Sequence, residues 1–225
     1  MSRGRMGGGR MGGGRMSDQE IAREALKSWV PKTKLGKLVA EGKITDLRET
    51  FELGYKIKEP EIVRTLLGDV TTEVIGVTVV QKQTDAGEVT KFRVILAVGN
   101  GNGWFGVGSG KAKTMRTAIN KATNDSLMNI VPVELGCGSW ECKCNQQHSI
   151  PFKVTGKCGS VRVDIIPGPR GLGLVAGENI KKLLSFAGLK DAWTRTYGAT
   201  NTYPSVAYAI YDALKKLHLL SHIRD

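Results

Sequence analysis

Three cysteines and one histidine lie close together in the segment GCGSWECKCNQQH. Cys137, Cys142, Cys144 and His148 follow a C-x4-C-x-C-x3-H spacing. Zinc prefers four thiolate or imidazole ligands at the corners of a tetrahedron, and one glycine-containing loop can supply all of them. The spacing is tighter than in the common zinc ribbons, and cysteines in a chain without a secretion signal are otherwise ordinary reduced thiols. The segment therefore has two interpretations, a structural Zn²⁺ site or free thiols.

Other residues with metal-binding or catalytic chemistry are sparse. Cys158 lies apart from the cluster, in a predicted turn over 156–159, and is given no role. His218 and His222 have a spacing that can bind metal on a helix, but no third ligand lies near them, so the pattern favours ordinary surface histidines. With three histidines in all, the chain offers no evident Ser/His/Asp or Cys/His arrangement. We expect neither a catalytic metal nor an enzyme.

Two glycine-rich stretches suggest phosphate binding at first sight. GNGWFG over 101–106 satisfies G-x-G-x-x-G after a predicted strand. However, the next helix begins too late, and the acid about 20 residues on, Asp125, falls inside that helix. A P-loop is excluded because Ala112 follows Gly110-Lys111. The proline-glycine loop over 167–173 carries Arg170, and either cradles a phosphate or simply makes a sharp connection. The rival function is thus an enzyme of small phosphorylated substrates.

The elements around the first glycine-rich stretch form a small sheet carrying one helix. Residues 74–80 and 88–98 are predicted as strands, with 92, 94, 96 and 98 on one apolar face, which indicates a half-buried sheet. Residues 82–87 form a polar connection with turn chemistry. The glycine-rich segment has room for a third strand. The following helix, from about 113, has an apolar stripe that starts at Met115 and includes Ala118, Ile119 and Ala122.

Composition and charge limit the classes of partner. The 225 residues contain 33 Lys and Arg against 21 Asp and Glu, a net charge of +12, which implies nucleic acid or an anionic membrane surface. No apolar run approaches the roughly 18 residues of a membrane span, and the N-terminus lacks the apolar core of a signal peptide. Nucleic acid is therefore favoured, and no membrane partner is expected. A hydrophobic content of 40% is enough for two compact domains with extensions.

The first 69 residues are predicted as extensions. Residues 1–16 contain an RMGGG repeat with four arginines and no acid, which predicts a disordered tail that either folds onto RNA or stays solvated. Residues 17–69 form a helical extension, which begins at a Ser17/Glu20 capping box over 17–29. Residues 33–41 form either a second basic helix or a lysine-rich turn. Further short helices are expected at 45–53 and 61–67, and the whole region is expected to wrap around the first domain. The lysines among them lie either against RNA or on a solvated face.

Residues 150–218 are predicted as a second α+β domain. Residues 150–154 and 160–166 pair as strands about a turn at Gly156. A helix over 178–187 ends at Gly188, a strand covers 192–197, and a last helix opens at Pro204. Residues 136–149 are the cysteine-rich connector between this domain and the one at 70–135, and 219–225 is a tail. Strand, strand, helix, strand, helix is an α+β layer with a crossover.

Three stretches of the chain resemble a known family. VQKQTDAGEVTKFRVILAVGNGNGWFGVGSGKAKTMRTAINKA, GSVRVDIIPGPRGLGLVAG and YGATNTYPSVAYAIYDALKKL are similar to the small-subunit ribosomal protein five (S-five) family, in the right order and over about 32–217. The extension before 70 and the GCGSWECKC segment point to the archaeal branch, since eukaryotic members lack these cysteines. The bacterial form lacks both features.

The resemblance implies a fold and an assembly. The N-terminal domain is expected to be similar to a double-stranded-RNA-binding fold, and the C-terminal domain to contain a left-handed βαβ crossover. The family implies a cytoplasmic protein of the small ribosomal subunit, not a homo-oligomer. It binds rRNA, contacts ribosomal proteins four and eight, and lies near the mRNA entrance, where it supports decoding accuracy during translation.

The resemblance also implies which residues face RNA. The family's RNA-facing elements are the hairpin loop, here 82–88, and the glycine-rich segment. The expected rRNA contacts are Lys82, Gln83, Thr84, Lys91, Arg93, Asn100, Asn102, Lys111, Lys113 and Arg116. Arg170 and Arg195 are added as a second group, on a surface that a protein partner would also suit. Binding of this kind selects the shape of folded RNA through phosphates and sugar hydroxyls, without chemistry.

Overall fold

The computed structural model describes residues 29–68, 70–142, 144 and 146–224, with side chains up to 221. The chain divides into two units, residues 1–30 and 31–225, and every described helix and strand belongs to the second unit. The predicted tail over 1–16, and the predicted helix over 17–29 apart from its last residue, lie outside the described residues. No helix in the described part of the chain has the length and apolar character that a bilayer span requires.

Three short helices precede the first sheet, as predicted. They are α1 (Lys34–Ala40), α2 (Leu47–Glu52) and α3 (Pro60–Leu67). Side-chain caps fix two of their beginnings, since Thr33 Oγ1 accepts the Gly36 N–H at 3.0 Å and Asp46 Oδ1 accepts the Arg48 N–H at 3.2 Å. Each helix buries part of one face. The buried apolar residues are Leu35, Val39, Leu47, Ile62 and Val63.

The first sheet has four antiparallel strands in the order β1-β2-β3-β4. Its strands are β1 (Thr71–Thr84), β2 (Gly87–Gly99), β3 (Trp104–Ala112) and β4 (Ile130–Pro132). The predicted strands and the third strand are confirmed, but the polar connection at 82–87 is wrong for most of its length. Pairing continues to Thr84 opposite Gly87, because a two-residue turn suffices when Gly87 adopts a φ of 118°.

The helix α4 (Met115–Met128) packs directly on the glycines of β3. A Cβ built on Gly108 would lie 2.2 Å from the Ser126 backbone nitrogen, and one on Gly110 would lie 2.2 Å from the Ala118 carbonyl oxygen. The glycine-rich segment therefore brings its backbone close to a helix of the same chain. The prediction that Met115 belongs to the apolar stripe is wrong: it is 45% exposed, because it lies one turn before Ala118, where the close contact begins.

The second sheet has the strand order β5-β6-β8-β7. Its elements are β5 (Val154–Cys158), β6 (Val161–Pro167), β7 (Leu174–Val175), α5 (Glu178–Phe186), β8 (Ala192–Tyr197) and α6 (Tyr203–Arg224). β7 runs parallel to β8, and α5 connects them, so a βαβ crossover is present, as predicted. It starts from β7 and not from the predicted strand at 160–166, because β6 pairs antiparallel with β8. The left hand of the crossover stays a prediction. β7 itself was not predicted, because two residues carry no alternation. The predicted turn at Gly156 is wrong: a Cβ there would lie 2.0 Å from the Ala209 carbonyl, and the chain turns at Gly159 (φ 59°).

One hydrophobic core joins the two sheets. It includes Ile95 and Phe105 from the first sheet together with Val163, Leu184 and Ile210 from the second sheet and its helices. The prediction of a half-buried sheet therefore fails for part of β2. The second half of β2 is buried on both faces, with α4 on one side and this shared core on the other. The architecture is α+β, as predicted.

Candidate metal centre and candidate nucleic-acid interface

The predicted metal ligands converge at one point. A bridge between Gly136 and Ser149, whose N–H groups donate to each other's carbonyls at 2.8 and 2.9 Å, closes the base of the connector. The ligand atoms of Cys137, Cys142, Cys144 and His148 all lie within 4.8 Å of one another. Zn–S bonds of about 2.3 Å in a tetrahedron place ligand atoms about 3.8 Å apart. Cys142 Sγ and His148 Nε2 are 3.9 Å apart, so this set fits Zn²⁺ with little movement.

The surroundings of Cys142 and Cys137 shift the pKa values of their thiols in opposite directions. The backbone N–H of Arg170 donates to Cys142 and, with Cys144, lowers the pKa of the Cys142 thiol to about 6. Burial raises the pKa of Cys137, whose thiol donates to the Cys142 carbonyl at 3.6 Å. The thiolate is the form that binds metal, and Cys142 is the sulfur best prepared for it. Arg170 thus meets the connector through its backbone while its side chain is exposed.

Cys158 and His218 are not part of this cluster. Cys158 ends β5 and is absent from the cluster. His218 Nδ1 lies 3.6 Å from Glu134 Oε1, and its ring meets Phe51 edge-on with ring centres 6.2 Å apart. The side chain of His222 lies outside the described ones. His218 is therefore an ordinary packed histidine.

Four of the predicted RNA contacts share one face of the first sheet. In the strand register Arg93 stands opposite Thr78 of β1 and opposite Lys111 of β3, and Lys91 stands opposite Val80. Because alternate residues of a strand share a face, these positions lie on the same side as Lys82. We call this group the cationic sheet face, and it consists of Lys82, Lys91, Arg93 and Lys111.

Lys113 and Arg116 extend this charge to the start of α4. Lys113 is exposed between β3 and the helix, and Arg116 is exposed in its first turn. No carboxylate in the described part of the chain forms a salt bridge with these two residues or with the cationic sheet face. Their charges therefore remain available to an external anion. Gln83 lies on the opposite face, and the Thr84 hydroxyl donates to the Gly87 carbonyl at 2.7 Å.

The loop between β2 and β3 is held by its own hydrogen bonds. Asn100 Oδ1 accepts the N–H groups of Asn102 at 2.8 Å and Trp104 at 3.2 Å, while the Gly101 N–H donates to the Phe186 carbonyl at 3.1 Å. GNGWFG is thus a strand–turn–strand segment, which excludes a dinucleotide fingerprint. Asn102 is exposed, whereas the acceptor oxygen of Asn100 is already used. Arg195 is exposed on β8 of the second sheet, away from this loop in sequence and in sheet.

One neighbour of the candidate metal centre was not predicted from the sequence. Asp191 is buried, and its Oδ2 lies 2.9 Å from His148 Nδ1. It follows His148 by 43 positions, on the turn between α5 and β8, so no local spacing connects the two. Only the packing of that turn against the connector brings them together.

Comparison with known proteins assigns the family. The model of ribosomal protein S5, N-terminal domain, matches residues 70–134, and that of ribosomal protein S5, C-terminal domain, matches residues 156–225. The small ribosomal subunit protein uS5 of Cenarchaeum symbiosum is 54% identical over 188 residues, which cover 84% of this chain and 86% of the relative. The chain belongs to the ribosomal protein S5 family.

Other archaeal S5 relatives extend the match. The small ribosomal subunit protein uS5 of Saccharolobus solfataricus is 47% identical over 207 residues, 92% of this chain and 97% of the relative. That of Staphylothermus marinus is 51% identical over 198 residues, 88% of this chain and 92% of the relative. The two S5 models leave residues 135–155 unmatched, and this gap contains all four ligands of the candidate metal centre. Family membership therefore explains the two sheets, whereas the candidate metal centre lies outside the residues that the two models match.

Proposed function

We propose that this S5-family chain is a structural constituent of the small ribosomal subunit and binds its rRNA without catalysing a reaction. The observation that carries the proposal is the match of 84–92% of the chain to relatives that bear the name small ribosomal subunit protein uS5. The net charge of +12 supports a polyanionic partner.

The cationic sheet face supplies a mechanism. Arg93 and Lys111 are cross-strand neighbours, so their charges meet one stretch of phosphate backbone together. Lys82 and Lys91 continue the face toward the tip of the hairpin, and Lys113 and Arg116 continue it toward α4. Each phosphate neutralised releases counterions, which drives binding, and the fixed geometry of the sheet selects a fold of RNA over a sequence.

Removing cations from this surface should weaken the salt dependence of RNA binding. In the Lys111→Ala, Lys113→Ala, Arg116→Ala variant we expect the slope of log K against log salt to fall by about 2, from a loss of ~0.7 to 0.9 per phosphate contact. The measurement is a filter-binding titration with a small-subunit rRNA transcript at several salt concentrations.

The matched control removes the same charge elsewhere. Lys181→Ala, Lys190→Ala, Lys215→Ala takes three exposed lysines from α5, the following turn and α6. This control should keep the parent slope. Equal slopes in the two variants would remove Lys111, Lys113 and Arg116 from the interface.

The same proposal places the chain in a particle. In the cytoplasm it should travel with small subunits in a sucrose gradient, contact ribosomal proteins four and eight, and lie near the mRNA entrance, where it influences decoding accuracy. An enzyme of small phosphorylated substrates would instead remain at the top of the gradient. Cross-linking of gradient fractions, followed by mass spectrometry, identifies the neighbours.

We propose further that the cluster of Cys137, Cys142, Cys144 and His148 holds a structural Zn²⁺. Three sulfurs and one imidazole within 4.8 Å of one another are a ligand set that zinc favours. All four positions belong to the protein, so the ion would have no open position for substrate or catalytic water. Its role would be to fix the connector against the second sheet.

Native mass spectrometry of protein purified without chelator should find one zinc per chain. The Cys142→Ser, Cys144→Ser variant should carry none, because two ligands are lost, whereas Cys158→Ser should keep the ion. Cys158 is the matched control because it is the cysteine outside the cluster. A parent chain without zinc would make the four residues ordinary thiols and an unliganded histidine.

A further inference from the structure

The ring of His148 lies against the turn before β8, at the end of the second sheet where β5 begins. Its side chain and that of Asp191 are 6% and 7% exposed, and His148 Nδ1 lies 2.9 Å from Asp191 Oδ2. The contact is short but not linear, so Nδ1 makes no well-aligned hydrogen bond within the described part of the chain. The Asp191 carboxylate nevertheless lies at hydrogen-bonding distance from Nδ1, and both side chains are buried from solvent.

The backbone fixes both partners of this pair. The His148 carbonyl accepts the N–H groups of Lys190 at 3.0 Å and Asp191 at 3.1 Å. The other carboxylate oxygen, Asp191 Oδ1, accepts the Gly173 N–H at 2.8 Å. Three segments thus meet at this pair: the connector, the turn before β8 and the loop before β7. Their hydrogen bonds fix the His148 backbone and the Asp191 carboxylate, and so place that carboxylate beside Nδ1.

The free side of the ring faces the sulfurs. His148 Nε2 is 3.9 Å from Cys142 Sγ. An ionised carboxylate accepts hydrogen bonds and donates none, so Asp191 selects the tautomer with a proton on Nδ1 and a lone pair on Nε2. That lone pair is the one a metal among the sulfurs would use.

We propose that Asp191 is the positioning residue of the metal centre: it fixes the tautomer and the orientation of His148 so that Nε2 binds zinc. This inference rests on the proposed zinc site and adds to it a residue that lies outside the connector. Carboxylates behind a metal-binding histidine raise its affinity for metal in this way. The connection also ties the centre to the loop before β7, because Asp191 Oδ1 accepts the Gly173 N–H.

The Asp191→Asn variant keeps the size of the side chain but replaces the carboxylate oxygen beside His148 Nδ1 with a hydrogen-bond donor. The amide oxygen of the new side chain can still accept the Gly173 N–H, but its NH₂ group then faces Nδ1. A donor at this place favours the opposite tautomer, with the proton on Nε2, which cannot bind metal. We expect zinc affinity to fall by about 10- to 100-fold. The measurement is competition with a chromophoric chelator, and the d–d absorption of the Co²⁺-loaded protein reports whether a nitrogen ligand is lost.

Two controls give the result its meaning. Asp212→Asn removes a carboxylate that accepts the Lys157 N–H and pairs with Lys216 at the other end of the second sheet, and it should leave zinc affinity unchanged. In a His148→Ala background there is no imidazole to orient, so Asp191→Asn should then have no further effect on affinity. If the losses from the two substitutions simply add, Asp191 acts on the fold and not through His148, and the proposal is overturned.

The outcomes distinguish this inference from the zinc proposal itself. A parent chain that binds no zinc overturns both. A parent that binds one zinc, with Asp191→Asn binding equally tightly, overturns only the role of Asp191. Should Asp191→Asn fail to fold, a long-range ¹H–¹⁵N spectrum of the zinc-loaded parent decides, because it identifies the protonated ring nitrogen of His148. A proton on Nδ1 supports the proposal, and a proton on Nε2 contradicts it.

Discussion

Chelation of the proposed Zn²⁺ should lower the melting temperature of the chain by roughly 10 °C. A ligand that binds only the folded state stabilises it by RT ln(1 + [L]/Kd), about 4 kcal/mol at a thousandfold excess over Kd. A chain of 150 to 250 residues shifts its melting temperature by about 2 to 4 °C per kcal/mol. The reason to expect a cooperative effect is the position of the centre. Ser149 bridges back to Gly136, and its hydroxyl accepts the Gly168 N–H at 3.2 Å, so the connector is tied to the second sheet.

Scanning calorimetry with excess zinc and with a chelator measures this shift. The Cys142→Ser, Cys144→Ser variant should melt at the same temperature under both conditions, near that of the chelated parent. Cys158→Ser should respond as the parent does. A parent whose melting temperature is the same with zinc and with chelator would mean that the cluster contributes no stability through a metal.

Local patterns predicted most of the elements of this fold. The helices around Ile62 and Ile210, and the strand that ends at Tyr197, follow from periods of 3.6 and 2 that tertiary contacts did not override. All four residues of the candidate metal centre were also predicted from the sequence, because they lie within a stretch of 12 positions. In both cases the information was contained in short stretches of chain.

The features that were missed depend on contacts between distant segments. Gly156 has the composition of a turn, yet it lies in β5 because the backbone of α6 at Ala209 leaves no room for a side chain. Ile95 and Ala97 lie outside the apolar face predicted at 92, 94, 96 and 98, yet they are buried because the second domain covers the other face of β2. Asp191 contacts His148 only through the packing of a turn 43 residues away. None of these contacts has a counterpart in local periodicity.

Replacing Gly108 by Ala should destabilise the chain by about 3 kcal/mol or more, at the upper end of the usual cost of overpacking. The added methyl group would lie 2.2 Å from the Ser126 backbone nitrogen and 2.6 Å from the Ala122 carbonyl oxygen. Both are backbone atoms of a helix, so neither can rotate aside, and α4 must move away from β3. Urea denaturation followed by circular dichroism measures the loss.

The control adds a Cβ where there is room for it. Gly177 caps the beginning of α5 with no atom within 4 Å of the new position, so Gly177→Ser should be neutral or slightly stabilising. The comparison also tests the RNA surface, because Lys111 lies on β3 and Arg116 on α4. Displacing α4 should separate these cations, so Gly108→Ala should bind RNA more weakly even at temperatures where it stays folded. A Gly108→Ala protein as stable as the parent would mean that α4 does not rest on the glycines, and the spacing between Lys111 and Arg116 would then not depend on them.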